Sequence, residues 1–86
     1  MEINKLIEVV KEKITKEIVL QKIEVEDKSF LHKSHKNNSP DKFHIKIIIV
    51  SDELKLKKKI DSTKRIYKIL ENELKSYIHS IQLSIN

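Results

Sequence analysis

The reactive side chains of this 86-residue sequence are four imidazoles, His32, His35, His44 and His79, with no thiol beside them. Without cysteine there is no disulfide framework, no thiolate nucleophile and no cysteine-based metal site. His32 and His35 are three residues apart, but structural zinc takes four ligands, and no carboxylate–histidine set nearby completes them. His79 stands alone; by itself it reads as a surface or half-buried histidine satisfied by a backbone hydrogen bond. No Ser-His-Asp order, glycine-rich phosphate loop or pair of catalytic carboxylates stands out, so the expectation is a protein that is not an enzyme.

The second chemical feature is charge. The formal net charge is +5, and the stretch from Lys55 to Lys68 holds Lys55, Lys57, Lys58, Lys59, Lys64, Arg65 and Lys68 against Asp61 alone. The basicity is therefore one patch rather than a uniform coat. It reads either as a solvated lysine-rich face or as a phosphate-neutralising surface for nucleic acid, presented as helix-turn-helix proteins present theirs. Recognition of RNA in the manner of KH domains requires a Gly-x-x-Gly loop. A chain with no glycine argues against it.

Positioning these residues falls to a small set of elements. Eighty-six residues support one modest core, so residues 1–86 are expected to form a single domain. Ile3, Leu6, Ile7, Val10 and Ile14 recur at helical spacing. Val19, Ile23 and Val25 share strand parity against Lys22, Glu24 and Glu26, which predicts a half-buried strand over about 19–27. Residues 28–41 lose all periodicity and contain the turn-forming run Asn37-Asn38-Ser39-Pro40-Asp41, the expected connection between two antiparallel strands. A second strand is expected over about 42–51; its Ile47-Ile48-Ile49-Val50 run implies burial on both faces there.

Ser51-Asp52 can then cap a short helix over about 53–59. A longer helix from near Asp61 or Ser62 aligns Ile66, Leu70 and Leu74, with Tyr67 and Ile69 widening the stripe. The last strand, about 78–85, alternates Ile81, Leu83 and Ile85 with Ser80, Gln82 and Ser84. His79 has the parity of the apolar set and sits at the strand's entrance. The order α-β-β-α-α-β, with a helical crossover before the last strand, implies a two-layer α+β domain: a three-stranded mixed sheet with helices on one face.

Several segments resemble the BolA family. Phe43-His44-Ile45-Lys46-Ile47-Ile48-Ile49-Val50-Ser51 is similar to its His-Phe-Lys-Val-x-x-Val-Ser strand, and Ile66-Tyr67 through Leu70 with Glu73-Leu74 resembles its long helix. Ile78-His79-Ser80-Ile81-Gln82-Leu83 looks like its Val-His-Ala-Leu-x-Leu ending, and Asp27 through His32 resembles its Asp-x-Ser-x-x-His strand exit. The match covers nearly the whole chain. Ser62-Thr63-Lys64 departs from the family's Arg-His-Arg, and the loop has Pro40 without the usual glycine.

The resemblance implies a fold like that of type II KH domains, and an adaptor that partners a monothiol glutaredoxin around a shared 2Fe–2S cluster in iron–sulfur assembly, trafficking or iron sensing. The alternative it implies is a DNA-binding transcriptional regulator using the Lys55–Lys68 region. His79 matches the family's most characteristic residue and is the expected metal ligand. The loop is expected to supply the second ligand through His32 or His35, while His44 is expected to be structural or edge-facing. Imidazole can replace thiolate on one iron of such a cluster. A chain lacking cysteine needs its partner's thiolates, so none is expected on the isolated protein. Alone it is expected to be a monomer or weak homodimer.

No stretch approaches the roughly 18 apolar residues of a membrane span. The Met1–Leu6 start lacks the features of a secretory signal. The expected compartment is the cytoplasm, with no membrane partner.

Overall fold

The computed structural model describes residues 1–29 and 42–86. Its elements are α1 (Ile3–Glu17), β1 (Lys22–Asp27), β2 (Phe43–Val50), α2 (Asp52–Lys55), α3 (Lys59–Ile69), α4 (Glu71–Ser76) and β3 (Ile78–Ile85). The strands form one sheet in the order β1-β2-β3, with β2 antiparallel to β1 and parallel to β3. This is the mixed α+β architecture expected. Among the described residues no helix is long and apolar enough to cross a membrane.

The core follows from two periodicities meeting. Leu6, Val10 and Ile14 line the inner side of α1, and Ile45, Ile47 and Ile49 the inner side of β2; all six are buried with Leu54, Ile66, Leu70 and Ile78. On the other face, open in the sense that no described element covers it, His44 is buried at the start of β2 while Ile48 and Val50 are only half-buried. The four-residue apolar run does not mark burial on both faces, because no described element packs on the second side of the sheet.

Three boundaries differ from the expectation. Val19 is 71% exposed and precedes β1, while Ile18 ends α1 and turns inward. The Val19 backbone is held instead by Glu53 Oε2 at 3.0 Å and Ser51 Oγ at 2.8 Å. Helix α2 stops at Lys55, because Leu56 is 90% exposed and gives the next turn no apolar anchor. Helix α3 begins at Lys59, ahead of Ser62, whose buried hydroxyl donates to the Leu54 carbonyl and so closes α2 rather than opening a helix.

The long helix is also interrupted. Leu70 leaves helical geometry between α3 and α4, although Leu70 N–H still donates to Ile66 O and Leu74 N–H to Leu70 O. The stripe at Ile66 and Leu70 is buried as expected, Ile69 and Leu74 are half-buried, and Tyr67 faces solvent. Glu73 takes a buried place beside them, which its charge alone would forbid. Both of its carboxylate oxygens accept from Lys13 Nζ, at 2.9 and 2.7 Å, so α4 is tied to α1 and the buried charge is paired.

Candidate functional site: a histidine pair at one end of the sheet

Strands β2 and β3 run in parallel from the same end of the molecule, so their first residues are neighbours. From Ile45–Ile81 through Ile49–Ile85 the register is regular, but at the start Phe43 pairs with Ile78 while His44 pairs with Ser80. One residue of β3 is therefore supernumerary, and it is His79. The shift removes His79 from the alternation of Ile81, Leu83 and Ile85, whose parity it shares only on paper. Instead it is exposed, with its ring centroid 4.7 Å from that of His44 and the two planes 35° apart.

His44 is the anchored member. Only 7% of it is exposed, and its Nδ1 lies 2.6 Å from Ser80 Oγ, its cross-strand partner on the open face. Its backbone is held as firmly. The N–H donates to Ser29 Oγ at 3.1 Å and the carbonyl accepts from Lys28 N–H at 2.8 Å, while Ser29 N–H donates to Asp27 Oδ1 at 2.9 Å. The exit of β1, the start of β2 and the start of β3 are thus joined around one imidazole, against which a second, solvent-reaching imidazole rests.

His32 and His35, the expected loop ligands, lie outside the described residues. The chain leaves the described part at Ser29 and re-enters it at Lys42, one residue before Phe43. Both points flank the His44–His79 pair. Among the described residues no three His, Cys, Asp or Glu side chains come together as a metal site. Among the described residues, this end of the sheet brings together the imidazoles of His44 and His79, the hydroxyls of Ser29 and Ser80 and the carboxylate of Asp27.

The basic region lies at the far end of β3. Lys55, Lys57 and Lys59 line a hollow of about 190 Å³ with Leu54, Ser62 and Ile85. Ile85 is six residues beyond His79, a distance of about 20 Å along a strand. Lys58 and Lys64 are exposed nearby in sequence, and Leu56 and Ile60, 90% and 60% exposed, stand between the lysines. Lys68 belongs elsewhere, to a groove of about 350 Å³ with Lys13, Lys16, Glu17 and Ile69. Arg65 is engaged in packing: its Nη1 donates to Glu53 Oε1 at 3.1 Å and its Nη2 to the Glu17 carbonyl at 2.6 Å. The seven cations between Lys55 and Lys68 therefore occupy four settings, and Arg65 is tied into the framework.

Comparison with known proteins decides the family. A family profile described as BolA-like protein matches residues 14–86. This chain belongs to the BolA family. The BolA chain is 32% identical over 78 residues to a protein of Haemophilus influenzae named DNA-binding transcriptional regulator BolA, covering 91% of this chain and 73% of that protein. It is also 33% identical over 79 residues to SufE-like protein 1 of Arabidopsis thaliana, of which it spans 21%. Among solved structures, the BolA domain of SufE1 from Arabidopsis thaliana superposes with a TM-score of 0.80 at 31% identity, covering 94% of this chain and 90% of that one. BolA1 from the same plant superposes with a TM-score of 0.78 at 24% identity, over 93% and 88%, a likeness of fold.

Alternation within either strand does not bring His44 to His79, but parallel pairing does. Placing Ile45-Lys46-Ile47 of β2 beside Ile81-Gln82-Leu83 of a parallel β3 brings residue 44 to the 79–80 position. The role of Arg65 has no comparable signal in the sequence, since its partners Glu53 and Glu17 lie 12 and 48 residues away.

Proposed function

We propose that this BolA domain is an adaptor that presents His79 to a 2Fe–2S cluster whose thiolates belong to a monothiol glutaredoxin. The observation that carries this reading is the position of His79, outside the regular strand ladder, exposed, and backed by the buried and hydrogen-bonded His44. A ligand shared with a partner must reach beyond its own fold yet keep its orientation, and a ring lying against an anchored ring satisfies both needs. The absence of cysteine makes the thiolates the partner's contribution. His32 or His35 is the second imidazole in this reading.

The test is reconstitution of the cluster on a monothiol glutaredoxin with and without this chain, followed by visible absorption and circular dichroism. The mixed complex is expected to differ from the glutaredoxin homodimer, and His79→Ala to abolish the difference while leaving the far-ultraviolet spectrum unchanged. A mixed spectrum indifferent to His79→Ala would remove His79 as a ligand.

The relative named as a DNA-binding regulator and the exposed lysines of the α2–α3 turn favour a second reading, binding of DNA through phosphate contacts. About five such contacts should cost 10²- to 10³-fold in affinity between 50 and 200 mM salt. Replacing Lys57, Lys58 and Lys59 by Gln should lower the salt slope by about 3. Anisotropy titrations on labelled duplex measure both, and binding insensitive to salt and to these lysines would end this reading.

A further inference from the structure

The two outer edges of the sheet differ. β1, one edge, carries Lys22, Glu24, Glu26 and Asp27 among its six residues, the charged character that keeps exposed edges from pairing. β3, the other edge, carries no charged side chain, and its one irregularity, at His79, lies ahead of the regular segment from Ile81 to Ile85. Ser76–Asn86 is the longest run in the sequence without Asp, Glu, Lys or Arg, and it contains neither proline nor glycine. Among the described residues β3 pairs only with β2.

The groups on the bare edge can be identified. Asn86 N–H donates to Ile49 O, and Asn86 O accepts from Ser51 N–H, so the backbone of Asn86 faces β2. Direction alternates along a strand, so Ser84 and Gln82 also face β2. Ile85, Leu83 and Ile81 turn their N–H and C=O groups to the open edge. Their side chains lie on the helix-covered face, where all three remain half-exposed although their β2 partners Ile45, Ile47 and Ile49 are buried.

We propose that this edge is a homodimer interface, in which β3 pairs antiparallel with β3 of a second copy about a twofold axis at Leu83. Leu83 then faces its own counterpart and Ile81 faces Ile85, and these three pairs exchange six backbone hydrogen bonds. The same register sets Gln82 opposite Ser84 on the open face. Apolar side chains meet apolar ones, polar meet polar, and no charge opposes another. The axis is perpendicular to the sheet, so the helices of both copies cover the same face of a six-stranded sheet. The two Ile85 positions, and the lysine turns beyond them, lie about 14 Å apart along the strands. That exceeds the Debye length of about 8 Å at physiological salt. His79 lies outside the paired segment, so this interface stands or falls independently of the cluster reading.

The experiment uses the protein alone. Sedimentation velocity over a concentration series should show a species of twice the 10.2 kDa chain mass. Hydrogen exchange should protect the amides of Ile81, Leu83 and Ile85 as the dimer fills. Gln82→Lys with Ser84→Lys places like charges opposite each other twice and should weaken dimerisation at least about tenfold. Gln82→Lys with Ser84→Glu places opposite charges together in this register and should restore it. Circular dichroism of each variant separates lost pairing from lost folding. A protein that stays monomeric at every concentration, a dimer whose Leu83 amide exchanges freely, or a charge-swapped pair no better than the double lysine would each overturn the proposal. Protection of these amides only on adding a different protein would overturn the second copy as occupant.

Discussion

The residue on which the proposed function rests is one that strand alternation misplaces. Counting by twos from Ile81 puts His79 among the core-facing side chains, and only the extra residue at the start of β3 frees it. A bulge of this kind depends on how two strands meet, which periodicity within either strand does not contain. Glu53 likewise depends on partners that local spacing does not contain: it stands in the first turn of α2, yet it accepts from Val19 N–H and from Arg65. The Val19 N–H, and after it Arg65, hold its carboxyl below the ordinary value of 4.5. A carboxyl depressed in the folded state stabilises the fold above its unfolded value and loses that contribution as pH falls through the folded one. The melting temperature of Glu53→Gln should therefore lie below that of the wild type at neutral pH, with the gap closing as the pH falls below 4.5. A gap of constant size in thermal melts across that range would show that the charge of Glu53 plays no part.

At the scale of elements, the strand-to-helix joint after β2 is legible in the sequence and joined by several hydrogen bonds. Ser51-Asp52 announces a helix start in the sequence, and Ser51 Oγ does accept from Leu54 N–H at 3.2 Å. The same hydroxyl donates to Val19 O, and the Ser51 N–H donates to Asn86 O, so a fully buried serine joins α2, the end of α1 and the end of β3. Ser51→Ala strands two of these partners. It should cost about 2 kcal/mol, a fall in melting temperature of about 10 °C, read by calorimetry. A loss within the error of the melt would mean that water replaces the hydroxyl. The strand and helix centres were legible because their apolar residues recur at two or at three and four. Their ends were not, because ends are set by partners distant in sequence: Glu53 on Val19, and Leu54 on Ser62.

For the whole molecule, element order and sheet type followed from the sequence, since a helical crossover admits a parallel neighbour and a connection without helical periodicity an antiparallel one. The open second face of the sheet did not, because an unbroken apolar run looks the same whether one or two layers cover it. Charge is equally a property of the assembled chain. Lys68 and Arg65 sit within four residues of Lys64, yet the fold directs one to a groove on α1 and the other to an ion pair. The parallel pairing of β2 with β3 has one more consequence, which concerns time rather than space. Val50, the last residue of β2, precedes Ile85, the last of β3, by 35 positions. At translation rates of about 5–20 residues per second, the central strand waits roughly 2–7 s for its neighbour to be made. For that interval the most apolar strand lacks its parallel neighbour, and its cover comes from α1 and β1 and then from α2, α3 and α4 as each is completed.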